Sequence, residues 1–177
     1  MRRLYLGIDP GLKGGYALTD PAGDVYEAAP LPILRTSGKS SLYIHAFSCM
    51  LKFFKNEEED TTIECVIEKV HSMPRQGVVS TFTFGKNFGS LLGVLVSLEI
   101  PTVEVTPQVW KKLLFGYTSS DKLKSIDFAL SLIDRSDDFI HIRRGGKPHD
   151  GVAEAICIAE YARREKHLFK TGGLHGS

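Results

Sequence analysis

One stretch constrains the fold of this chain more than any other: Leu4-Tyr-Leu-Gly-Ile-Asp-Pro-Gly-Leu-Lys-Gly-Gly-Tyr-Ala-Leu18. Leu4 to Ile8 form an apolar run too short to span a membrane and the right length for a buried strand. Asp9 ends the run, Pro10-Gly11 and Gly14-Gly15 follow, and a second apolar run begins at Tyr16. The pattern predicts a hairpin with a glycine-rich turn, its first strand central in a sheet and ending in a carboxylate. An ionised carboxylate at the end of a buried strand costs several kcal/mol unless something pairs with it. A divalent cation is one such partner. The other reading is an Asp that caps its own turn, a common use of Asp-Pro-Gly. This stretch alone leaves both open.

The chain has 177 residues, a length for one domain with a sizeable core, assigned here to residues 1–166 with a flexible tail at 167–177. No stretch approaches a transmembrane span. Met1-Arg-Arg leads straight into strand without a signal-peptide layout, so the expected setting is intracellular. Cys49, Cys65 and Cys157 show no CxxC spacing, which predicts reduced core thiols rather than disulfides or zinc ligands. The net charge is only +1. A nucleic-acid binder this neutral must gather its positive charge on one face or borrow it from bound metal.

Downstream, Asp20-Pro-Ala-Gly23 turns the hairpin into a third strand over 23–29, completing an antiparallel meander. Residues 31–41 read as a loop, and apolar spacing predicts a helix from Leu42 to Phe54. The acidic run Glu57 to Asp60 reads as a solvated loop. Thr62 to Glu68 is a β-branched strand that again ends in an acid. A helix is expected over 80–98, capped by Ser80 or Thr81, with Gly85, Gly89 and Gly93 along one stripe. Those glycines cost about 1 kcal/mol each relative to alanine, so close approach by another backbone is expected to repay them, from the sheet, a neighbouring helix or a second subunit. A strand at 101–106 completes a crossover and makes a parallel pair. Pro107 opens a helix at its favoured first position, capped by Thr106 and stopped by Gly116. A further helix spans 119 to about 134, a polar loop follows, and a last helix covers 149–162. In that helix Asp150 and Glu154 lie one turn apart, and like charges at that spacing oppose helix formation unless a cation sits between them.

Asp9, Glu68, Asp150 and Glu154 share one property: each ends or interrupts an apolar element. Gathered at one sheet edge they would repel one another without a divalent cation. A two-metal site with ions roughly 4 Å apart is built from such a cluster and hydrolyses phosphodiesters.

In order and spacing the chain resembles the RuvC-type Holliday junction resolvases of the RNase H-like superfamily, the phage-type crossover junction endodeoxyribonucleases in particular. The likeness runs from Ile8-Asp-Pro-Gly11 through Val66-Ile-Glu68 to His149-Asp-Gly-Val-Ala-Glu154. Its most specific segments are residues 72–82 and Thr106-Pro-Gln-Val-Trp-Lys-Lys112. The resemblance implies an α/β fold with a mixed five-stranded sheet, antiparallel meander plus parallel strands, flanked by helices. It also implies a homodimer, a four-way DNA junction as substrate, and symmetric nicks leaving a 5′-phosphate. Mg²⁺ or Mn²⁺, two per active site, would be held by Asp9, Glu68, Asp150 and Glu154, with no nucleotide cofactor and no membrane. The setting it suggests is the cytoplasm of a bacterium or phage-infected cell, an organelle being the alternative.

One departure concerns the last two acids, which are four apart here rather than three, with Gly151 between them. His149 is therefore a second candidate for Asp150's role. Lys111 and Lys122 match basic positions near the scissile phosphate, Lys122 being counted with the catalytic set. His71 stands where bacterial members carry an aromatic residue after the strand acid. DNA contacts are expected from Lys13, His71, Arg75, Lys86, Lys111, Lys112, Arg143, Arg144 and Lys147, a sequence-independent and salt-sensitive set. Three other functions fit parts of the pattern. They are an RNase H-like nuclease acting on RNA or RNA–DNA hybrid, half of a kinase-like ATPase, and a catalytically dead junction binder. The chain is too short for two kinase-like halves, and the four acids are intact.

Overall fold

The computed structural model describes residues 2–57, 60–69, 77–116, 122–133, 143–144 and 147–169. In chain order the elements are β1 (Arg3–Asp9), β2 (Gly15–Thr19), β3 (Val25–Pro30), β4 (Ile33–Thr36), β5 (Lys39–Leu42) and α1 (Ile44–Asn56). They continue with β6 (Thr62–Glu68), α2 (Val78–Ser97), β7 (Thr102–Val105), α3 (Pro107–Phe115), α4 (Lys122–Leu132), β8 (Arg143–Arg144), β9 (Lys147–Pro148) and α5 (Asp150–Arg164). A 3-10 turn, Lys166–Phe169, runs into the stretch assigned from sequence to the tail, and places Leu168 and Phe169 against the core.

The main sheet has the order β3-β2-β1-β6-β7. β1, β2 and β3 form the antiparallel meander, while β1, β6 and β7 run parallel. Alternation along the strands divides the core into two layers. Leu4, Leu6, Ile8, Cys65 and Ile67 pack against Phe47 and Leu51 of α1 and against Leu91 and Leu95 of α2. On the other face, Tyr5, Val66 and Val105 meet Trp110 of α3 and Cys157, Ile158 and Tyr161 of α5, and Ala17 and Ala28 meet Ala129 of α4. α5 is buried along nearly its whole length, which makes it the central helix of that layer.

Several expectations are corrected. Residues 31–41 contain the β4–β5 hairpin, turned by Ser37 (φ 50°) and Gly38 (φ 76°), both left-handed. α2 begins at Val78 with Gly77 before it, and neither Ser80 nor Thr81 caps it. Gly85, Gly89 and Gly93 meet no described atom within 4 Å of where a Cβ would stand, so among the described residues neither the sheet nor a neighbouring helix is the backbone that approaches them. Cys65 and Cys157 are buried thiols, but Cys49 is exposed, its Sγ 3.6 Å from His45 Nε2. Glu57, from the acidic run, accepts hydrogen bonds from Arg2 and Tyr26 and so ties α1 to the meander.

Candidate active site

The last paired residues of β1 and β6 are Ile8 and Ile67, so Asp9 and Glu68 follow side by side at the ends of neighbouring parallel strands. Alternation turns Asp9 to the face of Tyr5 and Glu68 to the face of Val66, and both therefore meet the α5 layer.

Glycines set the position of α5. A Cβ on Gly7 would overlap the Ala155 carbonyl oxygen and the Ala159 amide nitrogen, so helix and strand touch backbone to backbone there. At the start of the helix, Gly151 bridges Gly14 of the β1–β2 turn and sits against the Lys13 carbonyl. These two contacts fix both the height and the rotation of α5. Glu154, one residue before Ala155, then faces the strand ends.

Three carboxylates share one field at this edge. Asp9 is pushed up to about 7, by burial first and then by the charges of Glu68 and Glu154. The Gly11 N–H, 3.3 Å from Asp9 Oδ1, and the Lys111 ammonium act in the opposite direction. Burial likewise raises Glu68, against a 2.9 Å hydrogen bond donated by Trp110 Nε1 to its Oε2. Glu154 Oε1 lies 3.0 Å from Lys111 Nζ, and that ammonium stands over the Trp110 ring, 4.8 Å from its centroid. Three acids against one ammonium leave the edge with excess negative charge.

Hard carboxylate oxygens are the donor set of Mg²⁺ and Mn²⁺. Among the described residues, no three acid, histidine or thiol side chains converge closely enough to ligate an ion as they stand. Trp110 takes one oxygen of Glu68 and Lys111 takes one of Glu154. A second oxygen remains on each carboxylate. The chemistry of the donor set therefore fits a divalent cation, whose charge would offset the mutual repulsion of the three carboxylates.

The remaining candidates divide by position. Asp150 is exposed in the first turn of α5, where a negative charge suits the helix dipole, and the charges raising Asp9 are those of Glu68 and Glu154 alone. His149 caps α5, its Nδ1 accepting from the Val152 N–H at 3.3 Å. Lys13 is exposed on the turn beside Asp9, and Lys112 is exposed on α3. Lys86 is exposed on α2, in the layer across the sheet from α3 and α5. Arg143, Arg144 and Lys147 form the β8–β9 ladder immediately before α5, and Lys122 opens α4. His71 and Arg75 lie outside the described residues. Trp110 was not among the site residues expected from sequence. Its signal was available: a buried indole N–H needs an acceptor, and the residue adjoins Lys111.

No family model and no curated protein matches the chain. Solved structures do match. A structure of Thermus thermophilus RuvC aligns at a TM-score of 0.52 with 15% identity, covering 92% of this chain and 96% of that one. T. thermophilus RuvC in complex with a Holliday junction substrate aligns at 0.55 with 16% identity, covering 92% of this chain and 95% of that one. The chain thus has the RuvC-type, RNase H-like α/β fold. No helix among the described residues is long and apolar enough to cross a membrane.

Proposed function

We propose that this chain is a structure-specific endodeoxyribonuclease that resolves four-way DNA junctions by paired, metal-dependent nicks. The observation that carries the reading is the meeting of Asp9, Glu68 and Glu154 with Lys111 at one edge of a RuvC-type sheet. Two Mg²⁺ or Mn²⁺ ions, when bound, would activate the attacking water and stabilise the leaving oxygen. Asp9 and Glu68, fixed at the ends of buried strands, hold negative charge where the cations are needed. Glu154 adds a third carboxylate from α5. Asp150, one turn away on the same helix, is the fourth, and the ring nitrogen of His149 is engaged in capping. Lys111 places an ammonium beside the acids, suited to a non-bridging phosphate oxygen as charge builds at phosphorus. Water adds to phosphorus and the P–O3′ bond breaks, leaving a 5′-phosphate and a 3′-hydroxyl.

Lys13 is exposed on the turn beside Asp9, and Lys112 on α3 with Arg143, Arg144 and Lys147 of β8 and β9 are the further phosphate contacts of this reading. They would grip phosphates without reading sequence. We assign the dimer contact to α2. Phe82 is 74% exposed and Val96 65% exposed, at either end of the stripe of Gly85, Gly89 and Gly93. A second copy packed there would supply the backbone approach that three helical glycines call for.

The test is a comparison of substrates in Mg²⁺: a synthetic four-way junction, linear duplex and RNA–DNA hybrid. Paired symmetric nicks confined to the junction are expected. Selective degradation of the hybrid would instead assign the chain to nucleases of RNA–DNA hybrids. Asp9→Asn and Glu68→Gln are each expected to lose cleavage and keep junction binding in a gel-shift assay. Unchanged cleavage rates in either variant would overturn the assignment.

A further inference from the structure

α3 does more than carry a lysine to the acids. Its consecutive residues Trp110 and Lys111 each hold one carboxylate, and the two carboxylates come from different elements, Glu68 from β6 and Glu154 from α5. The two holds differ in kind. Lys111 is partly exposed and can be drawn away by a phosphate. Trp110 is fully buried, its ring set edge-on to Phe115 at 6.2 Å and packed in the cluster of Val66, Val105 and Tyr161. A ring locked this way aims its N–H in one fixed direction. Glu68 therefore has one oxygen anchored and one left over.

We propose that Trp110 is a positioning residue for metal binding, its indole N–H fixing the rotamer of Glu68 so that the second carboxylate oxygen is presented towards Asp9. This rests on the metal-dependent reading given above. A packing role alone would need the ring but not the nitrogen, since Val66, Val105 and Phe115 touch it only through apolar surface. The position is also useful to the experimenter. Trp110 is the only tryptophan of the chain, so fluorescence excited selectively at tryptophan reports on its surroundings alone.

The test measures Mn²⁺ binding by calorimetry, alongside thermal unfolding in chelator, for wild type, Trp110→Phe and Phe115→Leu. Trp110→Phe keeps an aromatic ring and removes the donor. Lost outer-shell hydrogen bonds typically weaken metal affinity by about 10–100-fold. A loss of that order is expected for Trp110→Phe, while Phe115→Leu, which disturbs the packing and spares the donor, should bind as wild type does. Should Trp110→Phe fold poorly, replacing the single tryptophan biosynthetically by 3-benzothienylalanine keeps the ring shape and again deletes only the N–H. Wild-type fluorescence should also change on Mn²⁺ addition and stay constant in Asp9→Asn. Equal Mn²⁺ affinity in wild type and the donor-deleted protein would overturn the positioning role while leaving the metal site standing, as would equal losses in both variants. A wild type that takes up no Mn²⁺ would overturn both.

Discussion

Burying Asp9, and placing it beside two other carboxylates, makes the stability of cation-free protein depend on pH in one direction. Its carboxyl titrates at about 7 when folded, against 3.8 as the ordinary value. Between those values the folded state binds more protons than the unfolded state, so stability is greatest below the lower value and falls as pH rises towards the upper one. The difference amounts to roughly 4 kcal/mol if it rests on Asp9 alone. Unfolding midpoints move by about 2–4 °C per kcal/mol at this size. In chelator the midpoint should therefore fall by on the order of ten degrees between pH 4 and pH 8 relative to Asp9→Asn, which has no charge to bury. Mg²⁺ should restore the wild type at pH 8 and do little for the variant. A wild-type profile parallel to that of Asp9→Asn, measured by scanning calorimetry, would show that neither burial nor the neighbouring acids shift Asp9. The cost is of the kind that active sites carry, stability given up for a charge held ready.

Glycine separates the two helices that matter most. Gly7 and Gly89 are equally plain in the sequence and opposite in consequence. A methyl on Gly7 meets backbone atoms of Ala155 and Ala159 that cannot turn aside, so Gly7→Ala should cost about 3 kcal/mol or more and detach α5 from β1. Gly89→Ala meets no described atom of the chain and should gain about 1 kcal/mol of helix stability at low protein concentration. If α2 packs against a second copy, the same change should weaken the dimer, which sedimentation velocity would detect. A rise in midpoint with unchanged association would place the dimer contact elsewhere. The same contrast shows how much the chain discloses of itself. β1 is legible because a continuous apolar run broken by an acid has few other readings, and β6 because its β-branched residues Thr62, Ile63, Val66 and Ile67 run to an acid. The β4–β5 hairpin escapes because Arg35, Lys39, Ser40 and Ser41 give no alternation, and its turn depends on a left-handed Ser37. Gly151 reads as a flaw in the spacing of two acids, yet it is the point where α5 touches the β1–β2 turn. Likewise Trp110 is visible as a helix residue, but which acid its N–H meets depends on long-range packing that local pattern does not encode.

At the scale of the molecule, each chain builds one acid cluster, whereas a four-way junction presents two equivalent strands. The α2 face and the acid edge belong to opposite layers of the sheet, so an interface on α2 leaves both clusters open to DNA. On the proposed function, resolution then requires two independent hydrolyses on one bound junction. A supercoiled plasmid with an extruded cruciform distinguishes the outcomes, because paired nicks give a linear product and a single nick gives an open circle that reabsorbs the cruciform. Wild type should yield linear DNA. Heterodimers of wild type with tagged Asp9→Asn, purified through the tag, should stop at the open circle, because the intact subunit has only one strand in reach. Gly89→Ala at concentrations below its weakened dimerisation should also give open circles, now for lack of a partner rather than of an acid. Linear product from the heterodimer would mean that one acid cluster serves both strands in turn, and the twofold arrangement assigned to α2 would then have no part in cleavage.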